Sequence, residues 1–123
     1  MPNEKFITGL KDLGYEVEIL SETRVAIPYT PFEGRLKGQP IKVGFEVPQD
    51  FEISPPTGPH ISPVLLTMNE SATTHPEKVL SSPFGSEWQY LSRPYQSSRG
   101  DWNNSSRTVK EYMRFVEDIL NTL

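Results

Sequence analysis

Cysteine is missing from all 123 residues of this sequence. Its absence excludes disulfide bonds, thiolate metal sites and thiol nucleophiles. Two histidines are present, and His60 and His75 are too far apart in the chain for a compact metal motif such as His-x-x-x-His. We therefore expect neither a metal site nor a cofactor.

Basic clusters and long apolar runs are also missing. The formal net charge is −4 and no basic run occurs, which argues against a nucleic-acid partner because such binding needs a basic face. No apolar stretch approaches the roughly 18 residues of a membrane span, and the first residues lack the apolar core of a signal peptide. We expect a cytoplasmic protein without a membrane or nucleic-acid partner, folded as a single domain over residues 1–123.

The first part of the chain has the pattern of a short amphipathic helix. Phe6 and Leu10 recur at helical spacing, which predicts a helix over residues 4–13. Asn3 is a suitable N-cap and Gly14 a suitable residue to end the helix. The apolar side of this helix is expected to face a sheet.

Alternating apolar residues after this helix predict an antiparallel sheet. The alternation predicts strands at 15–19, 25–29 and 41–47. Residues 51–53 and 64–66 are each compatible with one more short strand. The sequence therefore predicts a meander of three or four strands.

The end of the chain has the strongest helical pattern. Its apolar stripe consists of Val109, Tyr112, Met113, Val116, Ile119, Leu120 and Leu123. Thr108 and Glu111 have the spacing of a capping box, and Arg114 and Asp118 have the spacing of an i,i+4 ion pair. Because a small sheet needs one covered face, both terminal helices are expected to pack on the same side of it.

The segment from Ser62 to Trp102 connects the sheet to this last helix. It is too rich in proline and serine to indicate regular structure, yet it contains both tryptophans of the chain. We expect an ordered loop that closes one end of an α+β domain. Trp88 and Trp102 are predicted to anchor this loop by burying their indoles.

This order of elements resembles the ubiquitin-conjugating (UBC-like) superfamily, and several motifs agree. Residues 51–56 are similar to the aromatic and double-proline segment after that family's third strand. His75-Pro76 looks like the start of its His-Pro-Asn motif. Gly85 resembles the glycine before its active-site cysteine, and Trp102 resembles the tryptophan that ends its active-site loop.

A narrower resemblance is to a bacterial branch, the prokaryotic family-E relatives of conjugating enzymes. It is carried by the segments His60–Pro63, Ser82–Gly85 and Glu87–Pro94. Genes of this kind often lie beside genes for ubiquitin-like, activating-enzyme-like or metallopeptidase proteins. The resemblance implies a UBC-like fold in a bacterial ubiquitin-like modification system.

The chain departs from the superfamily at the residues that carry its chemistry. Conjugating enzymes hold the modifier as a thioester on a cysteine, and counting from Gly85 places that position at Trp88. Glu77 follows His75-Pro76 where the family has an asparagine that serves as an oxyanion donor. The resemblance therefore implies a catalytically inactive variant, a binding module for a ubiquitin-like protein or its activating-enzyme-like partner.

The candidate binding residues are His60, His75, Trp88, Tyr90 and Arg93. Either histidine is also explained by a hydrogen bond that fixes its loop. One alternative function is a hydrolase or acyl-transfer enzyme in which His75 activates Ser82 or Ser92. Another is a structural subunit of a bacterial complex.

Overall fold

The structure, a computed structural model, describes residues 2–68, 79–93 and 95–123. It is an α+β arrangement with a helix near each end of the chain and an antiparallel sheet between them in sequence, as predicted. The elements are α1 (Glu4–Asp12), β1 (Glu18–Ile19), β2 (Arg24–Tyr29), β3 (Ile41–Glu46), β4 (His60–Ser62), β5 (Val79–Ser81), β6 (Gln89–Leu91), α2 (Tyr95–Arg99), a 3-10 turn (Trp102–Asn104) and α3 (Val109–Thr122).

The strand order across the sheet is β1-β2-β3-β4-β6-β5, and each neighbouring pair is antiparallel. β1 to β3 correspond to the first three predicted strands, and β4, which the sequence does not predict, completes a four-strand meander. The remaining two strands correct the expectation of a wholly irregular segment between Ser62 and Trp102. β5 and β6 have three residues each, which is too short to show an alternating pattern in the sequence.

The first helix begins and ends close to its predicted limits. The Asn3 side-chain oxygen accepts hydrogen bonds from the amide nitrogens of Lys5, at 2.9 Å, and Phe6, at 3.3 Å, and so caps the first turn. At the other end Gly14 has a φ of +94°, a left-handed conformation that favours glycine after a helix.

The predicted C-terminal helix is confirmed, although its polar contacts differ in detail. The Thr108 hydroxyl accepts a hydrogen bond from the amide nitrogen of Glu111 at 3.2 Å, as a cap should. The Glu111 carboxylate, however, accepts from the Tyr95 hydroxyl at 2.9 Å. Among the described residues Asp118 forms its ion pair with Arg99 rather than with the predicted partner one helical turn away.

Both terminal helices cover the same face of the sheet, as predicted. Phe6 packs against Phe45 with ring centroids 5.5 Å apart, and Phe45 packs against Tyr112 at 5.9 Å. The helices approach each other at Gly9, where an added Cβ would lie 2.4 Å from a methyl carbon of Val109. Burial of each large apolar side chain in this core stabilises the fold by about 1.5–3 kcal/mol.

Three strand predictions need correction. Only Glu18 and Ile19 of the predicted 15–19 strand pair with β2, and Ile19 is 46 % exposed. Residues 51–53 form a turn in which Phe51 is buried and Ile53 is 66 % exposed. Phe51 packs on Phe6 and Trp102, so its burial comes from contacts with the core and not from a strand.

Residues 64–66 are not a strand either, and a buried glutamine holds them. The side-chain oxygen of Gln89 accepts from the amide nitrogens of Leu65, at 3.1 Å, and Leu66, at 3.0 Å. Its amide nitrogen donates to the Leu66 carbonyl at 2.6 Å. Gln89 is fully buried, so its side chain takes the place of a strand partner for this segment.

Candidate functional site

The outer face of the sheet, opposite the helices, carries most of the predicted binding residues. The strand register aligns one row across the face, made up of Glu18, Ala26, Gly44, His60, Tyr90 and Leu80. Side chains alternate between faces along a strand, so His60 and Tyr90 point away from the helix-covered core. His60 is nevertheless only 3 % exposed, which means that something else covers this face.

The cover is the connection between β5 and β6, residues 82–88, which we call the flap. Phe84 and Trp88 of the flap lie directly over Gly44 of β3. A Cβ at Gly44 would lie 2.6 Å from a ring carbon of Phe84 and 2.9 Å from one of Trp88. Because such distances are clashes, the flap rests in this position only when residue 44 has no side chain.

His60 lies underneath the flap in an aromatic stack. Its ring is 4.1 Å from the Phe84 centroid and 4.7 Å from the Tyr90 centroid, with interplanar angles of 21° and 30°. Its Nδ1 is 2.8 Å from the Ser82 hydroxyl oxygen, which also accepts from the Phe84 amide nitrogen at 3.0 Å. In a neutral imidazole, Nδ1 accepts the Ser82 proton when the ring proton is on Nε2, and donates to the Ser82 oxygen when the ring proton is on Nδ1.

Burial, and to a smaller extent the positive charge of Arg24, lower the pKa of His60 to about 4. The Arg24 guanidinium lies 4.8 Å from the centre of the Phe84 ring. It donates to Glu46 at 2.7 Å and to the Pro83 carbonyl at 3.2 Å. Arg24 therefore connects β2 and β3 to the flap while keeping the imidazole uncharged near neutral pH.

The contact between Ser82 and His60 is the geometry expected of a nucleophile and its base. A base with a pKa near 4 is a weak proton acceptor at neutral pH. The nearest backbone donor, the Phe84 amide, points at the Ser82 oxygen itself and is not free to stabilise an oxyanion. The pair is better suited to holding the flap closed than to activating the serine.

The predicted binding residues divide between several parts of the molecule. His60, Trp88 and Tyr90 come together on the outer face, joined by Phe84, whose ring is 5.2 Å from that of Trp88. His75 lies outside the described residues, together with the rest of its His-Pro-Glu sequence.

Arg93 and Ser92 follow β6 and are both buried. Burial lowers the pKa of Arg93. Its backbone lies next to Gly58, where an added Cβ would be 2.9 Å from the Arg93 amide nitrogen. Within the described residues, His60 contacts a loop serine, Ser82.

The two predicted loop anchors lie on opposite sides of the sheet. Trp88 is partly buried on the outer face. Trp102 is 2 % exposed within the helix-side core, 5.0 Å edge-on from Tyr95, and its indole nitrogen donates to the Glu52 carbonyl at 2.8 Å. The aromatic residues of the long segment therefore belong to two separate clusters.

Sequence reasoning missed three residues of this site: Arg24, Gly44 and Phe84. A glycine inside an otherwise regular strand indicates a close approach by another part of the chain, and Gly44 has that signal. Phe84 is part of a motif that carries the family resemblance, but nothing local to it indicates stacking on a histidine 24 positions earlier. Arg24 has only the pattern of a residue that starts a strand.

The described residues contain no group of three histidine, aspartate or glutamate side chains arranged to hold a metal ion. Within the same part of the chain, no helix is long and apolar enough to cross a membrane. Comparisons with protein-family models, with curated proteins and with solved structures each found no match. The case for kinship therefore depends on the motifs and on the arrangement of elements.

Proposed function

We propose that this chain is a catalytically inactive, UBC-like binding module for a ubiquitin-like protein or its activating-enzyme-like partner in a bacterial modification system. It engages that partner through the flap and the outer face of the sheet. The observation that carries the proposal is the environment of Trp88, an aromatic contact residue at the position where the resemblance expects a nucleophile.

The arrangement of elements supports the scaffold part of this proposal. An N-terminal helix, a four-strand meander and a C-terminal helix on the same face follow in the order of the superfamily. Pro55-Pro56 follows β3, as in the family's double-proline segment. Because folds are shared by proteins of different function, the binding role needs support from the site itself.

The flap supplies that support as a set of partly exposed aromatic groups on a rigid base. Phe84, Trp88 and Tyr90 are each partly buried, and the Arg24 guanidinium lies against Phe84. Tryptophan, tyrosine and arginine are the residues most often responsible for binding energy at protein interfaces. Packing on Gly44 and His60 fixes these side chains before the partner arrives, which lowers the entropic cost of binding.

The proposal is tested by titrating the ¹⁵N-labelled chain with the ubiquitin-like protein encoded nearest its gene, and separately with the activating-enzyme-like protein. We expect chemical-shift changes concentrated in the flap and β6. Trp88→Ala should raise the dissociation constant roughly 30-fold, because a central aromatic contact contributes about 2 kcal/mol.

Phe32→Ala is the matched control, because Phe32 is also aromatic and is 66 % exposed. Its backbone is bound to Asn121 near the end of α3, away from the flap. This variant should bind as the parent chain does. The proposal is contradicted if neither candidate partner causes a chemical-shift change at millimolar concentration. It is also contradicted if Trp88→Ala and Phe32→Ala lose the same amount of binding affinity.

The distance between Ser82 and His60 favours one second candidate, an acyl-transfer enzyme that forms an oxyester. In that reaction the Ser82 oxygen attacks an activated acyl carbonyl, His60 takes the hydroxyl proton, and the donor's leaving group departs. The test is incubation with activating enzyme, ATP and modifier. An alkali-labile adduct that is lost in Ser82→Ala and kept in Ser92→Ala would establish the enzyme. It would also refute the proposal that the chain is catalytically inactive.

A further inference from the structure

Within the described residues, few contacts hold the flap to the rest of the protein. Its backbone hydrogen bonds at Gly85 and Trp88 are made within the flap, to the Ser82 and Gly85 carbonyls. In the described part of the chain, the flap is joined to the sheet by the Ser82–His60 bond, the Arg24 bond to the Pro83 carbonyl, and ring packing. The flap is thus a self-contained pair of turns attached at the ends of β5 and β6.

His60 is at the centre of these contacts. Its ring face supports Phe84, and its Nδ1 shares a hydrogen bond with the Ser82 hydroxyl. The Ser82 oxygen in turn orders the flap by accepting from the Phe84 amide. One imidazole therefore fixes both the start of the flap and its central aromatic ring.

We propose that the flap is a hinged cover that stays closed while His60 is neutral and opens when His60 takes up a proton. Protonation puts a hydrogen on both ring nitrogens, so Nδ1 can only donate to the Ser82 oxygen and the Ser82 proton needs another acceptor. It also leaves a positive charge buried beneath the flap, and opening returns that charge to water.

The surrounding charges do not neutralise such a proton. From β2, Arg24 adds a second positive charge. From β3, Glu46 is already paired with Arg24 at 2.7 Å. β6 contributes the uncharged Tyr90, and Glu87, the one ionisable side chain of the flap, is exposed. The lowered pKa of His60 is consistent with this arrangement.

Opening would separate Phe84 and Trp88 from Gly44 and uncover the floor of the outer face. As regulation of partner binding this inference rests on the proposed function, since acid would then dismantle the binding surface. The hinge itself is a property of the free chain. It is therefore tested without any partner, and its failure is distinguishable from failure of the proposed function.

The experiment is NMR relaxation dispersion of aromatic side-chain signals on the free, full-length chain, because opening breaks the contacts of the Phe84 and Trp88 rings with Gly44 and leaves the amide bonds inside the flap intact. A pKa of about 4 in the closed flap and about 6.5 in the open one implies that the opening equilibrium rises roughly 20-fold between pH 7 and pH 5. The open population measured at the Phe84 and Trp88 rings should rise by that factor. The Phe6 and Phe45 rings, which pack on each other in the helix-side core, should not change.

His60→Phe retains an aromatic ring that does not titrate, and it should abolish the pH dependence at Phe84 and Trp88. His75→Phe removes the other histidine of the chain and should leave that dependence intact. An open population that is constant between pH 7 and pH 5, or that rises equally in His60→Phe, overturns the proposal. Should the variant fail to fold, NMR titration of His60 in the parent chain still tests the proposal. A His60 pKa near 6.5 would overturn it, because the closed flap would then not disfavour the protonated ring.

Discussion

Replacing Gln89 with leucine removes the buried amide that holds residues 64–66 while keeping the size of the side chain. The glutamine is fully buried and makes three hydrogen bonds to backbone groups of Leu65 and Leu66. Leucine makes none of them. The amide and carbonyl of Leu66, whose bonds are buried, would then lack a partner unless the segment moves out to water.

The expected loss follows from those unpaired groups. A buried backbone donor or acceptor without a partner costs about 1–3 kcal/mol. Two such groups give roughly 2–6 kcal/mol, and the greater apolar surface that leucine buries offsets part of it. We expect a decrease of about 3 kcal/mol in the free energy of unfolding, which corresponds to roughly 10 °C in Tm for a domain of this size.

Urea denaturation followed by circular dichroism measures this difference, with Gln39→Leu as the control. Gln39 is exposed in the connection between β2 and β3, so its replacement should change the free energy of unfolding by less than about 0.5 kcal/mol. If Gln89→Leu stays within that limit, or if Gln39→Leu is equally damaging, the hydrogen bonds of Gln89 do not hold the segment as argued.

Two further predictions concern stability. Because the folded-state pKa of His60 is lowered from 6.5 to about 4, stability should fall as the pH drops through this range. The loss attributable to His60 is at most about 3 kcal/mol below pH 4, and flap opening limits it because an open flap lets His60 protonate in the folded chain. Urea titrations at several pH values should show this loss relative to His60→Phe, and parallel profiles would refute it. Gly9→Ala should destabilise by about 1–3 kcal/mol despite the higher helix propensity of alanine, because its Cβ would meet Val109 at 2.4 Å. Thermal melts should show no such loss for Thr8→Ala, at an exposed position of the same helix, and a stabilised Gly9→Ala would contradict the packing.

The long elements of the fold can be predicted from the sequence because each carries a repeated apolar pattern. α3 has a stripe of seven apolar residues and a capping threonine, and β3 alternates over its length. These signals are local, so neighbouring residues alone are enough to detect them. The placement of both terminal helices on one face then follows from the need to cover the sheet.

The remaining parts depend on contacts between distant segments. β6 pairs with β4 through His60 and Tyr90, which are far apart in the sequence, and neither three-residue strand has a pattern of its own. Gln89 looks like a surface residue until its backbone partners are known. The sequence predicts His60, Ser82, Trp88 and Tyr90 as candidate residues. It does not predict how the flap covers Gly44, because that is a tertiary contact that propensity does not report.

The placement of Trp88 and Trp102 on opposite sides of the sheet has a consequence for spectroscopy. Trp102 is buried in the helix-side core and Trp88 is partly exposed beside Phe84, so their indoles should emit at different wavelengths. The total tryptophan fluorescence therefore combines two signals. The Trp102 signal reports unfolding of the core, and the Trp88 signal reports movement of the flap. Single-tryptophan variants at each position would record the two events separately.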